Sequence, residues 1–228
     1  MSNLKNERRG GCYWTDQPYL SVTNILSVID RPSLRYWFGQ QVYLAVVANP
    51  SLNEQEALSA PYKVSDKAKD RGTTVHSIVE AYKAGVFDID DKVMDEYTGY
   101  AKAFKAWVTD MKPEILENEK TVFSPLGYAG TLDMLAKIGG VTTIVDIKTG
   151  KDIYSEANLQ VSAYLEALRD TKGDKVASNG SILLLMPTGH YKYQQANDEF
   201  KAFMACKTLY EGLNREKLEK IGYKLFNK

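Results

Sequence analysis

Only two cysteines occur in the 228 residues, Cys12 and Cys206, near opposite ends and without metal-ligand spacing. A four-cysteine zinc site or iron–sulfur cluster within the chain is thereby excluded, and a reducing, cytoplasmic compartment is the natural expectation. No apolar run approaches the length that crosses a bilayer, so no membrane partner is expected. An excess of either charge is also absent, since 29 basic residues balance 29 acidic ones. A polyanionic partner would have to be met by a local basic patch and not by a whole-molecule field. No G-x-x-x-x-G-K-S/T loop is present, which excludes a built-in NTP-driven motor. Residues 1–10 have neither an apolar signal core nor the acid-free, Arg-rich character of a transit peptide. Internal repeats and low-complexity tracts are missing too.

What remains is ordinary globular composition, with 44% apolar and 25% charged residues. The length predicts one domain. Residues 21–29 and 34–47 read as a helical hairpin broken at Arg31-Pro32-Ser33, residues 49–61 as a loop, and residues 65–84 and 91–111 as amphipathic helices. Val75, Ile78, Val79 and Tyr82 make the apolar stripe of the first of these helices, and Tyr97, Tyr100, Phe104 and Trp107 that of the second. Pro113 ends the helical part. Strand character follows at 120–123, 131–138, 141–148, 181–186 and 191–195, with helices at 155–169 and 197–221. The expectation is therefore an α/β (α+β) chain: a mainly helical part over 1–112, a central mixed β-sheet flanked by helices over 113–196, and a C-terminal helix over 197–228.

Gly139-Gly140 carries the sharpest local signal, because two-residue hairpin turns need positive backbone angles. If those residues are the turn, Ile138 faces Val141, Leu135 faces Ile144, Asp133 faces Asp146 and Thr131 faces Lys148. Strand alternation then puts Asp133, Asp146 and Lys148 on one face. Two apposed carboxylates repel, and a divalent cation relieves the repulsion. Such an ion takes oxygen ligands while leaving positions for a phosphate oxygen and an attacking water, and Lys148 is placed to orient or deprotonate that water. A bare D-x-K tripeptide is more often an ordinary ion pair. Here both charges lie in an Ile-Val-Asp-Ile-Lys run that is too apolar for casual exposure. Upstream, Gly72, His76 and Glu80 recur every four residues, so that a glycine would clear space where a histidine and an acid project. Lys63, Lys67, Lys69 and Arg71 form a basic cluster leading into that helix.

Gly127-Tyr-Ala-Gly-Thr-Leu-Asp133, followed thirteen residues later by Asp146-Ile-Lys148, resembles the core of the PD-(D/E)XK nuclease superfamily, in its RecB-type exonuclease branch without an iron–sulfur cluster. Arg71-Gly-Thr-Thr-Val-His76-Ser-Ile-Val-Glu80 resembles the helical motif of that branch. Glu119 is similar to an acid often found entering the first strand, and Gln160-Val-Ser-Ala-Tyr164 to its Q-x-x-x-Y motif. The likeness covers roughly Ser21 to Pro187. Ser21-Val-Thr-Asn-Ile-Leu26 further resembles small stand-alone DNA exonucleases of phages and mitochondria.

The resemblance implies a restriction-endonuclease-like core and one or two Mg²⁺ or Mn²⁺ ions held by His76, Asp133, Asp146 and the backbone carbonyl of Ile147. It further implies Lys148 as catalytic lysine with Asp133 and Asp146, and Gln160, Tyr164 and Arg71 as substrate contacts. Glu80 and Glu119 are further candidates. The implied activity is hydrolysis of DNA phosphodiester bonds by metal-activated water, from free ends of single strands, in DNA repair, recombination or replication. A separate helicase or single-strand-binding protein is the implied partner, and the host cytoplasm the implied setting if the protein is phage-encoded. The alternatives are a flap endonuclease, a catalytically silent DNA-binding or assembly protein, and a hydrolase of another phosphoester.

Overall fold

The hairpin at Gly139-Gly140 forms as its sequence dictates. In a computed structural model, which describes residues 7–83, 97–172 and 177–225, both glycines have positive φ, 56° and 84°. Ile138 pairs with Val141 and Leu135 with Ile144, the counted register. The strands joined here are β5 (Tyr128–Ile138) and β6 (Val141–Lys148), preceded by β4 (Glu114–Ser124). After helix α5 (Glu156–Lys172) come β7 (Asn179–Leu185) and β8 (Tyr191–Gln195). Pairing is antiparallel for β4 with β5, β5 with β6 and β7 with β8, and parallel for β6 with β7. The expected mixed sheet flanked by helices is therefore present.

The chain before Ser21, read only as a polar start, contributes three short strands, β1 (Glu7–Arg9), β2 (Cys12–Trp14) and β3 (Pro18–Ser21). Strand β3 runs parallel to β5, with Leu20 opposite Tyr128 and Ser21 opposite Ala129. Strands this short give little periodicity to read. They pair with one another in sequence order, and β3 joins them to the main sheet through a partner more than a hundred residues away.

The helices follow the expected order with shifted ends. Val22–Ile25 (α1) and a 3-10 turn, Leu26–Val28, precede α2 (Pro32–Ala48), in which Pro32 serves as a first-turn residue. The predicted loop over 49–61 shrinks because α3 (Glu54–Lys83) begins early. Asn53 Oδ1 accepts the Glu56 N–H at 2.9 Å, while Glu56 Oε2 accepts the Asn53 N–H at 3.0 Å. This reciprocal cap starts the helix ahead of Pro61, whose buried ring is carried inside it. Helix α4 (Thr98–Met111) buries Tyr100, Phe104 and Trp107 as their spacing predicts, and positions 91–96 of that expected helix lie outside the described residues. The C-terminal helix divides into α6 (Phe200–Leu213) and α7 (Arg215–Lys220). Among the described residues no helix is long and apolar enough to cross a membrane.

Two cores cover the two faces of the sheet. On one, Leu132, Leu135 and Ile144 meet Ala163, Tyr164 and Leu168 of α5 and Phe203 of α6. On the other, Met134, Val145, Ile147 and Leu183 meet Val75 and Val79 of α3 and Phe104 and Trp107 of α4. Strand β7 explains the arrangement from sequence: Ile182 to Leu185 are all fully buried, as an apolar run covered on both faces requires.

Strand β4 follows one edge of β5 for nearly its whole length. The other edge is therefore shared: β3 pairs with Tyr128 and Ala129, and β6 with Met134 to Ile138. Between them, residues 130–133 pair with neither strand on that edge.

Two helical glycines test the packing. A Cβ on Gly99 would lie 1.8 Å from the Pro187 carbonyl oxygen, whereas one on Gly72 would meet nothing within 4 Å. Gly99→Ala should lower unfolding free energy by about 1–3 kcal/mol through overpacking. Gly72→Ala should raise it by about 0.5–1 kcal/mol through helix propensity. Urea denaturation of both variants checks the contrast.

Candidate active site

The counted register holds for every rung that forms, but the β5–β6 ladder stops at Met134–Val145. Beyond it β6 stays with β7, with Asp146 opposite Ile182 and Lys148 opposite Leu184, while β5 diverges. The expected rungs Asp133–Asp146 and Thr131–Lys148 are therefore not made. Directly opposed carboxylates repel, and a better acceptor arrangement exists. Asp133 Oδ2 accepts the backbone N–H of Ile147 at 2.6 Å, so a side chain spans the fork where a strand carbonyl would otherwise sit.

The opposite edge of β5 is irregular at the same residue. The β4–β5 ladder passes from Asn118–Met134 to Lys120–Leu132, omitting Glu119 and Asp133. Glu119 has φ 47°, a left-handed conformation uncommon outside glycine and held only where the surroundings impose it. Its carboxylate meets His76, which α3 presents beside the buried Val75. His76 Nδ1 lies 3.2 Å from Glu119 Oε1 and 3.6 Å from Asp133 Oδ1. Ligand atoms of His76, Glu119 and Asp133 all lie within 4.8 Å of one another, close enough to hold a metal ion.

Lys148 approaches from the other arm of the fork. Its Nζ donates to Asp146 Oδ1 at 3.1 Å and to Gln160 Oε1 at 3.1 Å. It also lies 2.8 Å from Asp146 Oδ2, an ion-pair contact without hydrogen-bond alignment, so that this buried oxygen has no hydrogen-bond donor. Gln160 Nε2 in turn donates to the Tyr164 hydroxyl at 2.9 Å.

The electrostatics are those of crowded anions. Burial, and then the Asp146 charge, push the Asp133 carboxyl up to about 7. Burial alone would lower His76, yet the Glu119 hydrogen bond and the charges of Asp133, Glu119 and Asp146 raise it above its ordinary value. Burial would likewise lower Lys148, but Asp146 and Asp133 outweigh it and raise the ammonium. Lys148 is thus a cation at neutral pH, suited to orienting or neutralising an anion and not to accepting a proton. An acid with no hydrogen-bond donor on one buried oxygen, beside a carboxyl that resists ionising, is a donor set suited to a hard divalent ion.

Other predicted residues lie farther from this cluster or enter it differently. Glu80 is exposed and not among the three grouped ligands. Arg71 turns toward α4, with its guanidinium carbon 6.0 Å from the Tyr100 ring and its Nε buried without a hydrogen-bond partner. Tyr164 is 3% exposed. Gly72 clears no space for His76, since its surroundings are open. Gly130, not picked out as a functional residue, underlies the Tyr164 ring; a glycine inside a strand is the signal that could have found it.

No protein-family model matches the sequence, and no curated protein matches it. Among solved structures the chain is similar to a "putative exonuclease" of Eubacterium rectale, at 12% identity and TM-score 0.46, covering 89% of this chain and 80% of that one. It is also similar to an alkaline exonuclease of Laribacter hongkongensis, at 10% identity and TM-score 0.34, covering 88% and 94%. Likenesses this distant say nothing about chemistry, which rests on the geometry above.

The Asp133 shift makes stability depend on pH with the sign opposite to that of most native carboxylates. Its folded value, about 7, exceeds the ordinary 3.8. Its contribution is therefore fully present below about pH 4 and is lost as pH rises toward 7. His76, also raised, contributes below its ordinary 6.5 and loses that contribution as pH climbs through its folded value. In chelator, the stability of wild type relative to Asp133→Asn should fall steadily between pH 4 and 7. Urea melts at four pH values measure this, and a gap that stays constant would contradict the reading of Asp133.

Proposed function

We propose that the chain is a metal-dependent DNA exonuclease that hydrolyses phosphodiester bonds from free ends, with single strands as substrate. The observation that carries this reading is the fork, where His76, Glu119 and Asp133 gather within 4.8 Å beside the Asp146–Lys148 pair. The motif resemblance supplies the polymer: it links this combination of residues to DNA cleavage.

His76, Asp133 and Glu119 would hold the metal, Mg²⁺ or Mn²⁺, with Asp146 and the carbonyl of Ile147 completing its protein ligands. When bound, the ion would supply water activation and charge stabilisation at the scissile phosphate. The protein's own groups do the rest. Asp133 keeps the fork at a fixed width through the Ile147 N–H. Lys148, held as a cation by Asp146, neutralises charge developing on the phosphate. Gln160, half-buried, accepts from the same ammonium and would stand beside the bound phosphate.

End-labelled single- and double-stranded DNA, incubated with Mg²⁺, Mn²⁺ or chelator, tests the reading. Degradation from the ends of single strands with metal, abolished by chelator, is expected. Lys148→Ala should fold and bind DNA yet cleave about 10²–10³-fold more slowly, the range for removing one stabilising group from a transition state. Full activity in that variant, or cleavage that survives chelation, would sink the assignment. Calorimetric titration with Mn²⁺ should show markedly weaker binding to Asp133→Asn than to wild type.

A further inference from the structure

Gly130 lies in the stretch of β5 that pairs with neither β3 nor β6, three residues before Asp133. A Cβ there would stand 2.3 Å from Cε1 of Tyr164, and 3.1 and 3.2 Å from Cδ1 and Cζ. No side chain tolerates such contacts, so the Tyr164 ring rests directly on strand backbone. Buried in that seat, Tyr164 offers its hydroxyl to Gln160 Nε2 at 2.9 Å, one helical turn earlier on α5. A carboxamide has one donor end and one acceptor end. With Nε2 committed to Tyr164, Oε1 is the end that faces Lys148 and accepts from Nζ at 3.1 Å. The reversed amide would set donor against donor at the ammonium.

We propose that Gly130, Tyr164 and Gln160 form a positioning relay that fixes the Lys148 ammonium, with Tyr164 working from beneath the site without touching substrate. The relay answers a specific weakness. A lysine stem is long and free to rotate, and Asp146 alone would let the ammonium pivot between its two oxygens. Gln160 supplies the second point of attachment. Two of the three ammonium hydrogens are then directed, leaving a third for an anion. What Lys148 does once positioned rests on the nuclease reading, whereas the orientation of the Gln160 amide does not.

Tyr164→Phe is the decisive variant, because it keeps the ring on Gly130 and removes only the hydroxyl. Two measurements are made on it. In the metal-free protein, the side-chain amide protons of Gln160, assigned by their loss in Gln160→Glu, are followed by NMR. They should exchange with solvent about tenfold faster in Tyr164→Phe than in wild type, the effect expected for one hydrogen bond. In the end-labelled DNA assay, kcat should fall about tenfold while KM changes less than twofold, and Gly130→Ala should show the same split or a larger one. Unchanged Gln160 exchange in Tyr164→Phe overturns the relay whatever the activity. A raised KM with unchanged kcat also overturns it, since Tyr164 would then contact substrate. If wild type cleaves no DNA with any metal, the nuclease reading fails and the NMR comparison still decides the relay.

Discussion

The hydrogen bond from the Ile147 N–H to Asp133 Oδ2 is the interaction on which the site depends. A sheet normally closes such a gap with a backbone carbonyl. Here a carboxylate does it, and a side chain reaches across a wider opening than a ladder rung can. The fork between β5 and β6 can therefore exist without leaving a buried amide unpaired, which would cost about 1–3 kcal/mol. Without that bond, either the strands zip together and bring Asp133 against Asp146, or Ile147 loses its partner. Both outcomes remove the space in which the charged groups meet.

Once the fork is open, its occupants determine one another's charge. Asp146 is almost wholly buried, and the Lys148 ammonium is the cation that touches it. Asp133, deprived of solvent and facing that negative charge, holds its proton up to about pH 7. His76 shifts in the same sense: the Glu119 hydrogen bond and the charges around it outweigh burial, so it too becomes easier to protonate. Beside the effect of burial, both shifts record the same local deficit of positive charge. A divalent cation would remove the deficit by displacing a proton, so Asp133 is poised to ionise when an ion arrives. The left-handed backbone of Glu119 fits this picture, because strain at a strand residue persists where neighbouring structure imposes it.

The sequence made the secondary elements and the hairpin legible because their signals are local. Gly139-Gly140 set a register that held for five rungs, from Ile138–Val141 to Met134–Val145. The ends of β6 and β8 also came out as read. What was not legible is non-local. Where the β5–β6 ladder stops depends on β7 drawing β6 away and on β3 occupying the same edge of β5 further along. Neither partner is visible in the hairpin itself. The early start of α3 was readable in principle from Asn53 and Glu56, but Pro61 argued more loudly for a loop. For the site, alternation correctly grouped Asp146 with Lys148, yet Glu119 entered only through resemblance. Its approach to His76 requires the backbone irregularity that strand periodicity cannot express.

The fork also explains how groups from both layers of helices reach one place. An unbroken sheet separates its two faces. Val75 and Val79 of α3 pack on one face, and Tyr164 and Leu168 of α5 on the other. Nevertheless His76 of α3 lies 3.6 Å from Asp133, and Gln160 of α5 lies 3.1 Å from Lys148, whose neighbour Asp146 raises Asp133. The opening between β5 and β6 is what lets these two sets converge. Each helix is fixed by its own apolar stripe on a rigid core, so the polar groups need no flexible loop to meet. The quantity that must be held fixed is the width of the opening, and the Asp133 carboxylate sets it while also serving as one of its charges.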